Sequence, residues 1–170
     1  TDHLINTYLA KDNNYTLFGN HDLHYLFVNE FVQCSGFEER KFEAIENVFK
    51  NQRTPIRNKF LWYCMVDDIL LTHAGLDLRL VSTAKTNADI FEYLDKSVDD
   101  ANIKIVSNQN HWFYQVGAYR GGAFRTGGIT WVDFDHELET IDDLRQIVGH
   151  TNQYRRKRIV SHREIGRAHV

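Results

Sequence analysis

Three short segments carry side chains that could do chemistry together. LFGNHD at 17–22, ILLTHAGL at 69–76 and QIVGHT at 146–151 share one pattern. In each, an apolar run ends abruptly in a histidine flanked by Gly or Ala. In open α/β sheets, ligands bind just beyond the carboxyl ends of strands, where loops leave the sheet. A strand that delivers an imidazole to that edge, with small neighbours giving access, is placing a metal ligand or an acid/base. One such histidine is most often a satisfied core or surface residue; three repeats of the arrangement point to a site. Asn20 offers an amide oxygen, and His73 and His150 offer ring nitrogens, a set suited to Zn, Fe, Mn or similar divalent ions.

That donor set is neutral, and the charge arithmetic limits it. Two divalent ions about 3.5–4 Å apart carry four positive charges, which several carboxylates must balance. The nearby acids Asp22 and Asp77 are too few, and neither is spaced like a bridging ligand. Either one ion is held weakly, or the acidic ligands lie on polypeptide outside this chain. His24 fits a helix face that could line a pocket, while His3, His111, His136, His162 and His169 lack the small-residue strand-end context.

The elements that must position these residues are short. Tyr15–Phe18 reads as a buried strand stopping at Gly19. Phe60–Val66 and Ile69–Thr72 read as two strands joined by an Asp67-Asp68 turn. Further apolar runs occur at 129–134, 146–148 and 158–160. Leu4, Ile5, Tyr8 and Leu9 fit a short amphipathic helix; 38–50 places Phe42, Ile45, Val48 and Phe49 on one helical face; and 86–97 repeats the pattern through Ile90, Phe91 and Leu94. Alternating short strands and helices predict an α/β or layered α+β architecture. The Gly pairs at 121–122 and 127–128 fit either turns or a phosphate-approaching loop.

The whole-chain figures fit a single soluble domain: 170 residues, 42% hydrophobic, 25% charged, net charge -3. That balance gives no reason to expect a nucleic-acid or membrane partner. No apolar run approaches the roughly 18 residues of a bilayer span, and the first residues lack a signal-peptide pattern. Cys34 and Cys64 read as two buried reduced thiols, so the expected setting is cytoplasmic. The basic run 155–158 reads as a solvated turn.

GNHD at 19–22, THAGL at 72–76 and GHT at 149–151, in that order, resemble the third, fourth and fifth motif blocks of the calcineurin-like metallophosphoesterase superfamily. GNHDLHYL, RGG at 120–122 and GGITWVDF at 127–134 look most like bacterial and phage members of serine/threonine-phosphatase-like or diadenosine-tetraphosphatase-like type. The resemblance implies a four-layer α/β/β/α sandwich and two divalent ions (Mn, Fe or Zn). It also implies hydrolysis of phosphate monoesters on a protein or small molecule. Symmetrical dinucleoside polyphosphate hydrolysis and a non-catalytic binding domain are the alternatives. By resemblance, Asn20, His73 and His150 are ligands of the second metal, His21 protonates the leaving group or stabilises the phosphoryl group, and Arg120 holds phosphate oxygens. The superfamily's Asp-x-His-Gly and Gly-Asp-x-x-Asp-Arg-Gly blocks are absent, so the expected unit is an N-terminally incomplete, inactive domain over residues 1–164. Residues 165–170 look like translated adapter sequence and are set aside as a non-native tail.

Overall fold

The computed structural model describes residues 8, 9, 11–51 and 56–152, with the backbone of 159, 160, 163, 164, 166 and 167. The expected helix at Leu4–Leu9 falls largely outside these residues, as do His3, His162, His169, the basic run at 155–158 and most of the 165–170 tail.

The fold is mixed α and β. Strands β1 (Thr16–Leu17) and β2 (Phe60–Leu61) pair in parallel. Strands β3 (Cys64–Val66) and β4 (Ile69–Thr72) form an antiparallel hairpin, closed by Asp67 at φ 54. Strand β5 (Arg145–Val148) then adds to β4 in parallel, with Thr72 opposite Val148. Beyond it, the backbone of β6 (Ile159–Val160) and β7 (Arg163–Glu164) pairs antiparallel, and β8 (Gly166–Arg167) lies parallel to β5. The larger sheet therefore runs β3-β4-β5-β8.

Among the described residues, three α-helices accompany these strands: α1 (Asn20–Leu26), α2 (Glu39–Asn51) and α3 (Asn87–Val106). Helix α3 starts at a reciprocal cap, in which the Thr86 hydroxyl accepts from the Asp89 N–H at 3.2 Å and the Asp89 carboxylate accepts from the Thr86 N–H at 2.9 Å. It runs well past the expected end at 97, because Ile90, Leu94, Ala101 and Ile105 continue one buried stripe. That stripe packs into a core with Leu23, Leu70, Leu76, Phe113, Tyr114 and Ile129. None of the described helices is long and apolar enough to cross a membrane.

Two expectations about the strands need correction. The run 60–66 is not one strand: it breaks at Trp62 and Tyr63, passing from the β1 ribbon to the larger sheet. The break follows from Trp62, which turns into the core against Phe18 with ring centroids 4.7 Å apart and donates Nε1–H to Asn102 at 2.8 Å. The apolar run 129–134 is a buried chain of turns, since the Trp131 and Val132 N–H groups both fold back to Gly128 O at 2.9 Å.

The Gly pairs belong to packing. A Cβ on Gly128 would lie 1.9 Å from Trp112 O, and one on Gly122 would lie 2.0 Å from Val116 O. Backbone crosses backbone at both places, as only glycine permits. Gly128→Ala is therefore expected to cost about 1–3 kcal/mol, the usual penalty of overpacking, read from denaturant midpoints. An unchanged midpoint would contradict this close approach.

Candidate functional site

His73 and His150 leave the sheet side by side. Each follows the last residues of a parallel strand, β4 or β5, and the Gly149 N–H donates to His73 O at 2.8 Å. The ladder thus continues one step beyond the strands and sets the two imidazoles together. His150 sits at φ 61, a left-handed conformation uncommon for a residue with a Cβ. Asn20 comes from the other ribbon: β1 ends at Leu17, and α1 begins at Asn20. Gly19 makes room there, since a Cβ would lie 2.9 Å from the His73 ring.

The three side chains meet. His73 Nε2 is 3.1 Å from Asn20 Oδ1 and 3.1 Å from His150 Nδ1. A ring nitrogen carries either a proton or a lone pair, so His73 Nε2 can satisfy one of these neighbours as donor or acceptor, not both. A cation uses all three lone pairs at once. Donors about 2.1 Å from a common ion and at right angles to each other stand about 3.0 Å apart, which matches the observed spacing. Burial pushes the His73 pKa down to about 4, with His21 adding to the effect. It pushes His150 down to about 3, with His73 adding. Both rings are therefore neutral at pH 7, the state a metal ligand requires.

A second observation fits the same place. Among the described residues, the buried side-chain polar atoms without a partner are Thr72 Oγ1, Trp131 Nε1 and His150 Nε2. Of these, His150 Nε2 belongs to the set itself, and the Trp131 ring packs edge-on to His150 at 5.8 Å. Buried polar atoms left without partners mark places where a water or ion completes the bonding. No group of three or more His, Cys, Asp and Glu that could hold a metal occurs among the described residues, so the amide of Asn20 is what makes this a set of three.

The other expected residues border this set. Arg120, at the end of a 3-10 turn over Ala118–Arg120, donates Nη2–H to Asp133 at 2.9 Å and to Thr151 Oγ1 at 3.1 Å. Thr151 follows His150, so the guanidinium lies beside the imidazole pair. Partial burial pushes Asp133 up, but its bonds to His136 and Arg120 outweigh that and hold its pKa low. His21 is exposed on α1, close enough to help depress both His73 and His150. Asp22 accepts from the Gly19 N–H at 2.9 Å, a backbone role. Asp77 is fully buried and bound through both carboxylate oxygens to Arg79 at 2.7 Å, so it fixes the loop after His73 and coordinates nothing.

Several contributors are illegible in the residue pattern. Glu137, 3% exposed, accepts from the N–H groups of Tyr119, Gly127 and Asp133 and so ties the RGG and GGITWVDF loops together. His136 holds Asp133 at 2.8 Å, and the acid–histidine spacing of three residues was the available signal. Cys34 and Cys64 are both half-buried, not buried as expected, and both are free thiols; the Cys34 sulfur faces His21 and His24. His24 packs its ring on Phe37 at 4.7 Å.

Comparisons with protein-family models, with curated proteins and with solved structures give no match for this chain.

Acid should destabilise the metal-free protein. His73, His150 and His111, the last also held near 4 by burial, titrate at 6.5 when unfolded. Between pH 6.5 and about 4 the unfolded chain binds protons that the folded chain refuses, so stability falls as pH falls. The slope is about 1.4 kcal/mol per pH unit for each imidazole. Denaturant midpoints at pH 7 and pH 4.5 should show the loss, and His73→Gln should reduce it; a protein more stable at pH 4.5 would contradict the assignment.

Proposed function

We propose that the chain carries one half of the site of a metal-dependent phosphoesterase, acting on phosphate monoesters of a protein or small molecule. The observation that carries this reading is the contact of His73 Nε2 with both Asn20 Oδ1 and His150 Nδ1, 3.1 Å each, where His73 and His150 leave two parallel strands. The resemblance in GNHD, THAGL and GHT supports it and adds the four-layer sandwich and a dinuclear centre of Mn, Fe or Zn, while the free thiols favour a cytoplasmic setting.

Asn20, His73 and His150 would hold one ion. When bound, a divalent ion supplies Lewis-acid polarisation of a phosphoryl oxygen. Arg120, aligned by Asp133 and Thr151, directs its remaining N–H groups to phosphate oxygens, which a planar guanidinium matches in pairs. His21, exposed at the rim, delivers a proton to the leaving oxygen. The nearest acids are engaged elsewhere, Asp22 on a backbone N–H and Asp133 on Arg120 and His136. A second ion therefore needs carboxylates beyond this donor set.

Calorimetric titration of the 170-residue protein with Mn or Zn should show one weakly held ion, lost in His73→Ala and in His150→Ala. Binding untouched by both substitutions would overturn the metal assignment. The same protein should not hydrolyse nitrophenyl phosphate; turnover abolished by His73→Ala would show that further carboxylates are unnecessary. In a protein that contains them, His21→Ala should lower kcat about 10²–10⁴-fold with metal content unchanged. A nitrophenolate leaving group, which needs no proton, should recover much of that loss, and an equal loss on both substrates would make His21 an electrostatic stabiliser instead.

A further inference from the structure

The region behind His21 holds a thiol and a second imidazole. Cys34 Sγ lies 3.3 Å from His21 Nδ1 and 3.2 Å from His24 Nδ1. The Cys34 backbone N–H also donates to His24 Nδ1, at 2.9 Å.

Counting protons among these groups limits the arrangements. His24 Nδ1 accepts the backbone N–H, so it is bare, and its single lone pair is already used. The thiol has one proton to give. Of the two ring nitrogens within reach, His21 Nδ1 is the one whose lone pair is uncommitted. Burial pushes the Cys34 thiol up, which keeps that proton on sulfur at neutral pH. The loop that carries Cys34 is anchored independently. Asn29 donates to Ile105 O at 2.9 Å, its Oδ1 accepts from the Phe31 N–H at 2.8 Å, and the Glu30 N–H donates to Asn108 at 2.8 Å. The sulfur is thus delivered to the back of His21 by a segment fixed to the end of α3.

We infer that Cys34 is a positioning residue for His21: its S–H donates to His21 Nδ1 and so fixes the neutral ring with its proton on Nε2. The ring then turns its one N–H away from the protein, toward the rim of the Asn20–His73–His150 set. Of the two neutral tautomers, this one presents an N–H at Nε2 to a leaving oxygen; with the proton on Nδ1, Nε2 would present a lone pair to an anion and repel it. The functional meaning rests on the phosphoesterase reading, but the tautomer does not.

Nitrogen-15 NMR of the metal-free 170-residue protein, labelled at histidine and held near neutral pH, reads each ring's tautomer directly. His21 should show a bare Nδ1 and a protonated Nε2. Cys34→Ala should shift the tautomer ratio of His21 toward Nδ1–H by about two- to tenfold, the worth of one net hydrogen bond. Cys34→Ser, which keeps a donor, should restore it. Far-ultraviolet circular dichroism and the His73 signals confirm that both variants fold. A His21 ratio unchanged in Cys34→Ala overturns the inference, as does a shift confined to His24. If the ratio responds as expected but no phosphoesterase activity is found in any longer form of the protein, the functional reading fails and the positioning role of Cys34 holds. If such activity is found and the ratio is insensitive to Cys34, the reverse is true.

Discussion

Everything at the candidate site depends on the parallel pairing of β4 with β5. The register puts Thr72 opposite Val148, and one more backbone bond, from Gly149 N–H to His73 O, carries the ladder past the strand ends. A slip of one residue would turn the outgoing side chains to the other face. Burial holds the register: Leu70 and Thr72 on β4 and Gln146 and Val148 on β5 point inward together. Gln146 adds a lock specific to this register, accepting from the Leu76 N–H at 2.8 Å and donating to Leu76 O at 3.0 Å. A buried amide that returns both bonds to one residue of the neighbouring loop ties the exit of β4 to β5. His73 and His150 are therefore placed by backbone and core.

The acidic residues around the site show the same division of labour. Asp77, Asp133 and Glu137 are all nearly inaccessible, and each is satisfied by several donors. A carboxylate out of water is costly unless paired or hydrogen-bonded, so these three anions are committed to the loops they hold. Asp77 binds Arg79 and the Glu139 N–H, Glu137 binds three backbone N–H groups, and Asp133 binds Arg120. Asn20, His73 and His150 are left neutral while the negative charge sits one layer behind. That arrangement orients Arg120 without adding charge to the donor set itself.

This separation also explains what could be read from sequence. The strand-end histidines were legible because an apolar run, a small residue and an imidazole are local patterns, and Asn20, His73 and His150 do come together. Helix α3 was legible at its start through Ile90, Phe91 and Leu94, and its extra turns were missed because Asp99 and Asp100 interrupt the apolar rhythm at 98–101. The 60–66 run was misread because both halves are apolar; only the inward turn of Trp62 splits them between two sheets. The 129–134 run fooled periodicity for a related reason. Its side chains are buried, but Gly128 meets the carbonyl of Trp112 so closely that the chain coils there. Contacts made across sequence left no local trace: Glu137 with Gly127, Cys34 with His21, Arg120 with Thr151.

The donor set is also the place where folding and function pull apart. Thr72 Oγ1, Trp131 Nε1 and His150 Nε2 are buried polar atoms with no partner among the described residues, each of a kind that costs about 1–3 kcal/mol. A sequence selected for stability alone would replace them with apolar groups of similar shape, as the surrounding core at Leu70, Leu76 and Ile129 already does. Instead Trp131 packs edge-on to His150, one of two imidazoles that burial keeps neutral, around lone pairs that no single proton can share. Such frustration is relieved by something that enters from outside with positive charge or hydrogen-bonding capacity on several sides. An ion at the Asn20–His73–His150 edge, with water on the remaining polar atoms, is a chemically economical way to relieve it.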